Sequence, residues 1–291
     1  MPPSLPEVGH QTAPQTGVVT TEAIRQFAEA VGDPNPIFRD EAAAHAAGFS
    51  GIPVEPTFIT RFHVAFAEAG LDPEHTQVLH GEQEYSYERP LVAGDTLSVR
   101  YVVSAIRQSR RADGMAIMTL EQQCDTPDGQ RVVTGRAIII VRDMGPAGGG
   151  ETTDGKQMSD PEGERIPDLT KHVTQEQINA YADVSGDHNP IHLDPAIARS
   201  VGLEGTIAHG MLSMAFLGQL VTGWVATQPS RGGWVKRLRV RFQAMVRPGD
   251  TLTCAGALGA ADQGQQRIEL WINNQRGERV TTGDADVAFT R

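Results

Sequence analysis

The sequence predicts an α+β protein made of two tandem domains of the same design. The first observation is an internal repeat: residues 19–51 align with residues 173–205 at a constant offset of 154, and fifteen of these 33 positions are identical. The second is the order of patterns in each half, where a densely apolar segment precedes a series of strand-like runs. A buried helix wrapped by an antiparallel sheet is an α+β layout.

The second half begins with helical patterns that a loop interrupts. Thr174 and Gln177 have the spacing of a helix-capping start, and turn formers follow between Gly186 and Pro190. Asp194-Pro195 matches an N-cap with proline at the first helical position. Residues 211–225 are too densely apolar for a surface helix, so we expect a buried helix there.

Strand-like runs follow at residues 234–246, 251–257, 267–272 and 286–290, and Gly-containing turns separate them. The first half shows the same coarse order. The sequence therefore predicts a long helix wrapped by an antiparallel sheet in each half.

Two polar segments set the predicted domain boundaries. Residues 1–16 are polar and contain proline, and residues 143–169 are rich in Gly, Asp and Glu without an apolar period. We therefore predict a flexible tail at 1–16, a first domain at 17–142, a linker at 143–169 and a second domain at 170–291.

Composition argues against several classes of function. The 291 residues carry 25 basic and 36 acidic side chains, and this net charge of −11 disfavours general nucleic-acid binding, which needs a basic surface. Two cysteines are too few for a disulfide framework and indicate a reducing compartment. The start of the chain does not resemble a signal peptide, and no apolar run approaches the roughly 20 residues that span a bilayer. We expect a cytoplasmic protein without a membrane or nucleic-acid partner.

The strongest candidates for chemistry are Asp187 and His192, which lie five residues apart on the loop of the second half. A carboxylate and an imidazole are the minimum set for moving protons at neutral pH. The same residue types also serve as turn and cap residues, and the pattern alone leaves this alternative open.

Comparison of the two repeats favours the catalytic interpretation. The first repeat keeps Asp33, but Phe38 takes the place of His192. Pro56, which has no N–H to donate, takes the place of Gly210. Residues that build the turn thus occur in both halves, whereas those suited to proton transfer and oxyanion binding occur only in the second.

Gly210 stands where the buried helix of the second half is expected to begin. A helix N-terminus offers free N–H groups and a partial positive charge, and glycine lets a ligand approach the backbone closely. The Gly210 N–H is therefore a candidate to bind a carbonyl oxygen on which negative charge develops.

The sequence contains no motif for a metal or a cofactor. No Cys/His spacing fits a zinc site, and no glycine-rich loop matches a dinucleotide or P-loop fingerprint. We therefore predict chemistry without a metal or a cofactor.

The second half resembles the MaoC-type, R-specific enoyl-thioester hydratases, the hydratase 2 group. Their signature, Ser-Gly-Asp-x-Asn-Pro-[Ile/Leu]-His followed by His-Gly-Met-Leu, is present as residues 185–192 and 209–212. The second half is also similar to the catalytic subunit of mycobacterial (3R)-hydroxyacyl-carrier-protein dehydratase. Residues 56–59 and 87–95 of the first half resemble its non-catalytic partner.

This resemblance implies a double hot-dog fold in one chain and a hydro-lyase of fatty-acid metabolism. The substrate would be a trans-2-enoyl thioester of coenzyme A or acyl carrier protein, and the product a (3R)-3-hydroxyacyl thioester. Asp187 would activate the water, His192 would transfer the α-proton, and the Gly210 N–H would hold the thioester oxygen. Alternatives are a hydratase specialised for branched, dicarboxylic or steroid-side-chain thioesters, and an inactive acyl-thioester binding module. Whether two chains form a homodimer stays open.

For two further residues of the signature, two roles remain open. Asn189 recurs as Asn35 in the first half, which favours a structural role over contact with the substrate. For His209, packing or backbone hydrogen bonding and lining of the site both remain open.

A stripe of positive charge is the last candidate. Arg237, Arg239 and Arg241 would share one face of a strand, and residues 231–247 contain no acidic residue. This stripe would bind the phosphates of coenzyme A or an acidic carrier protein. The alternative is an ordinary solvated strand face.

Overall fold

The computed structural model describes residues 5–64, 68–72, 76–109, 115–143, 159–228 and 230–290. The helices are α1 (Thr21–Val31), α2 (Glu41–Ala46), α3 (Gln175–Ser185), α4 (Pro190–Leu193), α5 (Pro195–Ser200) and α6 (Gly210–Ala226). The strands of the first half are β1 (Gln15–Val18), β2 (Thr76–Tyr87), β3 (Thr96–Gln108), β4 (Met115–Asp125) and β5 (Arg131–Asp143). Those of the second half are β6 (Arg165–His172), β7 (Gly233–Phe242), β8 (Thr251–Asp262), β9 (Gln265–Asn274) and β10 (Arg279–Phe289).

Over the described residues, these strands form one antiparallel sheet in the order β1-β3-β4-β5-β2-β7-β10-β9-β8-β6. The five strands on each side of the β2–β7 contact appear in mirrored order, so the two repeats are related by an approximate two-fold axis at that contact. The predicted α+β class and the double hot-dog fold that the resemblance implies are confirmed. No helix in this part of the chain is long and apolar enough to cross a membrane.

The β2–β7 contact joins the halves through backbone pairing and ion pairs. Tyr85 lies opposite Leu238 in the register, and both side chains are buried. Alternate side chains of the two strands share the opposite face, where Arg237 contacts Glu84 at 2.8 Å and Arg241 contacts Glu82 at 3.0 Å. The register of the pairing is therefore fixed by apolar side chains on one face and charges on the other.

The arginine stripe is not the positive surface that the sequence suggested. Arg237 and Arg239 both pair with Asp284 of β10, whose side chain is only 2% exposed. The acidic partners come from neighbouring strands, so they are absent from residues 231–247 and were invisible in the local sequence. The three arginines are thus each paired with a carboxylate of a neighbouring strand, and their role in substrate binding stays a prediction.

The long helix α6 is the centre of the main core. Residues 211–221 are buried on every side of the helix, which agrees with the predicted buried helix. On the first half, α1 ends at Gly32, and the Gly32 carbonyl accepts hydrogen bonds from Gln219 of α6 (3.2 Å) and from Lys171 of β6 (2.9 Å). Side chains of the second half thus satisfy carbonyl groups at the end of a helix of the first.

The long helix predicted for the first half is absent from its described residues, so that expectation was wrong. A 3-10 helix at Phe58–Arg61 occupies the position that corresponds to the start of α6. Its residues are aromatic or β-branched apart from Arg61, whereas the first turns of α6 are rich in Met, Leu and Ala, which are better helix formers. None of the described residues of the first half therefore forms a helix like α6 across the inner face of β2 to β5.

The predicted tail and linker are shorter than expected. Gln11 forms a β-bridge with Val102, and β1 begins at Gln15, so residues 11–16 run along β3 instead of forming a free tail. Residues 165–169 of the predicted linker belong to β6, and Ile166 is buried there. The strand lies at the edge of the sheet, and Ile166 and Leu169 stand among polar residues there, so no regular apolar pattern marked it. Residues 144–158 of the linker lie outside the described residues.

Asp284 provides a test of the ion pairs on the outer face of the sheet. Asp284→Ala removes a buried carboxylate that Arg237, Arg239 and Arg267 all contact. We expect the free energy of unfolding to fall by about 2–4 kcal/mol, because the arginines lose their buried counter-charge. Glu82→Ala is the control: its partner Arg241 is 66% exposed, so the loss should stay below about 1 kcal/mol. Urea denaturation followed by circular dichroism measures both, and equal losses would contradict this account.

Candidate active site

The turn that carries Asp187 is built by the same contacts in both halves. Helix α3 ends at Gly186, whose φ of +79° is in the left-handed region that favours glycine. The Asp187 carboxylate accepts a hydrogen bond from the backbone N–H of Asn189 (3.2 Å), and Asn189 caps α4 by accepting from Ile191 N–H (3.3 Å). The first half repeats these bonds with Asp33, Asn35 and Ile37. Asn189 therefore has the structural contact that the repeat suggested, although it also lines the cavity described below.

His192 is buried and held in one tautomer. Its Nδ1 lies 2.8 Å from the carbonyl oxygen of Ile207. A carbonyl only accepts, so Nδ1 carries the hydrogen and Nε2 of the neutral ring has the lone pair. His192 thus offers a proton acceptor to the site.

His209 lies directly against this pair. Its Nε2 donates to the backbone oxygen of Asp187 at 2.9 Å, and its ring stacks on that of His192 with centroids 3.8 Å apart. Asp187, His192 and His209 each place one side-chain N or O atom within 4.8 Å of the others. The two interpretations of His209 thus both hold, since it fixes the Asp187 loop and lines the site.

Burial and mutual charge set the ionisation of the three groups. Burial lowers the pKa of His192 and outweighs the opposing effect of the Asp187 charge, and burial also lowers the pKa of His209 to about 4. For Asp187, burial raises the pKa. The positive charge that His209 and His192 carry when protonated, together with the hydrogen bond from the Asn189 N–H, outweighs burial and lowers the pKa. At neutral pH the site therefore holds a carboxylate beside two neutral imidazoles.

The start of α6 completes the site. Gly210 is the first residue of this helix, so its N–H has no partner within the helix, and the N-cap residue His209 does not cap it with its side chain. A Cβ at position 210 would lie 3.2 Å from the Phe242 ring, so the space is fitted to glycine. Asp187, Asn189, His192, His209 and Gly210 all line one cavity of about 220 Å³.

Three titratable groups this close also raise the question of a metal site, which the sequence did not predict. A metal binds imidazole nitrogen in the ring plane, at about 2.0–2.1 Å for zinc. The rings of His192 and His209 are stacked face to face with an interplanar angle of 33°. A metal shared by both would lie far out of at least one ring plane, so the arrangement fits proton transfer better than coordination.

Side chains that the motif search missed reach the cavity from outside the signature. His80 of β2 lines it from the first half, its Nε2 is buried without a hydrogen-bond partner, and its ring packs edge-on against Phe242 at 5.2 Å. Burial lowers the pKa of His80 to about 4, although the charge of Asp187 opposes the shift. Tyr181 of α3 also lines the cavity with an unpaired, buried hydroxyl. The active-site cavity is thus shared by both halves.

A β-bulge turns His80 toward the cavity, against the alternation expected of a strand. The pairing of β2 with β5 shifts between His80 and Glu82, so Gly81 is an extra residue in the strand. Strict alternation from the buried Tyr85 and Gln83 would point His80 to the outer face. The bulge reverses the alternation, and His80 turns toward the cavity.

Arg237, Arg239 and Arg241 are not among the described residues that line this cavity. Their side chains lie on the outer face of the sheet in the ion pairs described above. The structure does not bring this predicted substrate-binding set together with the catalytic pair.

In the first half, the equivalent positions keep the shape of the site and lose its chemistry. Phe38 replaces the His192 imidazole, and Glu55 replaces His209. Both oxygens of Glu55 are enclosed: Oε2 accepts from the N–H and hydroxyl of Thr57, and Oε1 has no partner. Burial raises the pKa of Glu55 to about 8 and also raises that of Asp33, so the Glu55 carboxyl is mostly protonated at neutral pH.

Two family models match this chain. The MaoC like domain matches residues 157–278, and the FAS1-like dehydratase domain region matches residues 7–135. The second half of this chain is a MaoC-like domain, and the first half is a FAS1-like dehydratase region. The predicted resemblance to the MaoC family is confirmed, and each half has its own family match.

Relatives of about half the length support the duplication. A UPF0336 protein of Thermobifida fusca is 37% identical over 140 residues, which is 46% of this chain and 90% of that protein. A UPF0336 protein of Streptomyces avermitilis is 36% identical over 131 residues, 43% of this chain and 84% of that protein. Each relative corresponds to one domain of this MaoC-like chain.

Solved structures show the same fold over the full chain. A MaoC-like dehydratase, 24% identical, covers 97% of this chain and 98% of its own with a TM-score of 0.80. A Mycobacterium tuberculosis protein with a double hotdogfold, 13% identical, covers 98% of this chain and 96% of its own at 0.71. The peroxisomal multifunctional enzyme type 2 from Drosophila melanogaster, 20% identical, covers 97% of this chain and 48% of its own at 0.69.

Glu55 makes the stability of this MaoC-like protein depend on pH. Its pKa is about 8 in the folded chain against a model value of 4.5, so the stabilisation is full below pH 4.5 and is lost as pH rises through 8. Glu55→Gln removes this titration. We expect the variant to gain stability relative to wild type between pH 5 and 8.5, by up to about 4 kcal/mol.

Urea unfolding of both proteins at pH 5, 7 and 8.5 measures that difference. Glu41→Gln is the control because Glu41 is exposed on α2. A difference between Glu55→Gln and wild type that stays constant with pH would show that the Glu55 carboxyl does not titrate in this range.

Proposed function

We propose that this protein adds water reversibly to trans-2-enoyl thioesters of fatty acids and forms (3R)-3-hydroxyacyl thioesters. The observation that carries the proposal is that Asp187 and His192 place side-chain atoms within 4.8 Å of each other, in a cavity that the N-terminus of α6 also lines. Groups that move protons and a group that binds an oxyanion are what this addition requires. The thioester class and the (3R) configuration follow from the MaoC family resemblance.

The ionisation states determine where the proton comes from. Asp187 is a carboxylate and His192 has its lone pair on Nε2, so in this state neither holds a proton to deliver. The proton that reaches the α-carbon therefore comes from the reactive water. Its oxygen forms the bond to the β-carbon, one hydrogen stays on the new hydroxyl group, and the other passes through the pair to the α-carbon.

His192 is the group that carries this proton. When Nε2 accepts it, the nearby Asp187 charge and the hydrogen bond from Nδ1 to the Ile207 oxygen both stabilise the imidazolium. Asp187 orients the water by accepting a hydrogen bond from the other hydrogen, which stays on the oxygen. This retains His192 as the donor to the α-carbon, which the resemblance implies, and refines the role of Asp187 from base to orienting group.

The first residue of α6 stabilises the charge that develops on the substrate. Attack at the β-carbon moves electrons onto the thioester oxygen, which becomes enolate-like. The unpaired Gly210 N–H and the partial positive charge of the 17-residue helix α6 favour that oxygen. The Pro56 that stands in this position in the first half has no N–H for this role.

The first half supplies the acyl-binding side of the cavity. Its inner sheet face contributes apolar side chains, among them Val78, Leu120 and Ile139, where a second long helix would otherwise lie. The described residues form no such helix, and the cavity lined by these side chains has room for an acyl chain beside the catalytic pair. The arginines on the outer sheet face are ion-paired and give no support to a phosphate-binding role there. Comparison of kcat/KM for the coenzyme A and carrier-protein thioesters of one acyl chain would decide between the two carriers.

Removal of either member of the pair tests the proposed reaction. We expect wild type to hydrate crotonyl-CoA and Asp187→Asn and His192→Gln each to lower kcat/KM by about a hundredfold or more. The rate at which the enoyl-thioester absorbance decreases, measured at saturating and at limiting substrate concentrations, gives kcat and KM.

His188→Gln is the matched control, because His188 lies on the same loop but is exposed, and its activity should equal that of wild type. Equal activity in all four proteins would remove the catalytic assignment. An inactive wild type with crotonyl-CoA and with trans-2-decenoyl-CoA would contradict a general hydratase and leave the specialised hydratase and the acyl-thioester binding module as the alternatives.

His80 offers a second test of the same cavity. Its Nε2 is buried without a hydrogen-bond partner and His80 lines the cavity, so this nitrogen is available to an oxygen of the substrate or of the water. His80→Phe should lower kcat/KM for crotonyl-CoA by about tenfold, the effect of one lost hydrogen bond. The free energy of unfolding should not fall, because the change removes an unsatisfied polar atom.

The two readouts separate a functional role from a structural one. A variant with unchanged kcat/KM would show that His80 does not contact the reacting groups. A variant that loses stability and activity together would show that His80 mainly supports the fold.

A further inference from the structure

A second cavity occupies the first-half counterpart of the active site. Its volume is about 390 Å³, compared with about 220 Å³ for the active-site cavity. The two cavities are lined by equivalent positions of the repeat, which differ by 154 or 155 in residue number: Asn35 and Asn189, Phe38 and His192, Pro56 and Gly210. Loss of the catalytic groups has thus not closed the space around them.

The walls of this first-half cavity are apolar. Phe38, Val54 and Leu91 of the first half face Val225, Trp234 and Val235 of the second half. No charged side chain is among the described residues that line it. A volume of this size lies within the roughly 300–1,000 Å³ range of small-molecule pockets, and an apolar ligand gains free energy by leaving water for such walls.

Exposed lining residues at two helix ends place the mouth of the cavity there. Ala46 ends α2, Ala226 ends α6, and both are exposed small residues that line the cavity. Gln228 lies near Ala226 as a polar lining residue. A ligand with an apolar chain can therefore enter between these helices while its polar or charged group stays at the surface.

We propose that the first-half cavity binds the aliphatic chain of a fatty acyl group without converting it. The position of the cavity argues for an acyl chain, because its walls are the repeat counterparts of those around the proposed thioester site. The chemistry argues against turnover, because Phe38 cannot accept a proton and Pro56 has no N–H for an oxyanion. The acyl class of this ligand rests on the proposed function, whereas the existence of a second binding site does not.

A count of bound chains tests the proposal with the full-length protein. Decanoyl-CoA is a suitable probe because its saturated chain cannot be hydrated, and decanoic acid separates recognition of the chain from recognition of the thioester. We expect isothermal titration of wild type to give two equivalents per chain. Two equivalents with both probes would mean that the chain alone is recognised, and two with decanoyl-CoA only would mean that the thioester end contributes.

Variants at the mouth identify which equivalent belongs to the first-half cavity. Ala46→Trp and Ala226→Trp should each reduce the count to one, because an indole fills the entrance from an exposed helix end. Ala42→Trp is the matched control, since Ala42 lies on α2, is exposed and does not line the cavity. Hydration of trans-2-decenoyl-CoA by the variants should equal that of wild type. Two equivalents in both mouth variants, or a count in wild type that neither mouth variant lowers, would overturn the proposal.

Trp234 provides a direct readout at the cavity wall. Bromine quenches indole fluorescence on contact, so 11-bromoundecanoic acid should quench wild-type fluorescence, and Trp234→Phe should abolish most of that quenching. Quenching that persists in Trp234→Phe would place the ligand elsewhere. These readouts need no turnover, so an inactive protein with two bound chains would refute the proposed hydratase and leave the second site standing.

Discussion

The antiparallel pairing of β2 with β7 is the contact on which both cavities depend. It joins two five-stranded units into one sheet and sets the approximate two-fold axis between the repeats. Each cavity is consequently closed by the opposite half: His80 of β2 enters the active-site cavity, and Trp234 of β7 enters the first-half cavity. A slip of one residue in this pairing would turn these inward side chains outward. The ion pairs of Arg237 and Arg241 with β2 oppose such a slip.

The duplicated halves differ at the points where chemistry would take place, while the turn that positions those points is the same. Asp33 and Asp187 accept the same backbone hydrogen bond, and Asn35 and Asn189 make the same helix cap. The second half keeps a long central helix, whose N-terminus serves the site. Among the described residues of the first half, a short 3-10 helix at Phe58–Arg61 lies at the position that corresponds to the start of that helix.

Sequence patterns predicted the parts of this architecture that are local or repeated. The α+β class, the buried helix at residues 211–225 and the loop with Asp187 and His192 all depend on short-range patterns, and the structure contains them at those positions. What the sequence missed depends on contacts between distant strands. The acidic partners of the arginines lie on β2 and β10, and the inward turn of His80 depends on a bulge in the β2–β5 pairing. The similarity of the two halves also led to the prediction of a long helix in the first half, which its described residues do not form.

The comparison of the two sites also shows what proton transfer requires beyond titratable groups. The first-half site contains two buried carboxyl groups, Asp33 and Glu55, and burial raises the pKa of both. Glu55 therefore tends to keep its proton at neutral pH, and Phe38 offers no acceptor beside them. In the second half, the carboxylate of Asp187 is ionised next to a neutral imidazole with a free lone pair. The substitutions at the positions of His192, His209 and Gly210 thus separate a site with a proton acceptor beside a carboxylate from one without that acceptor.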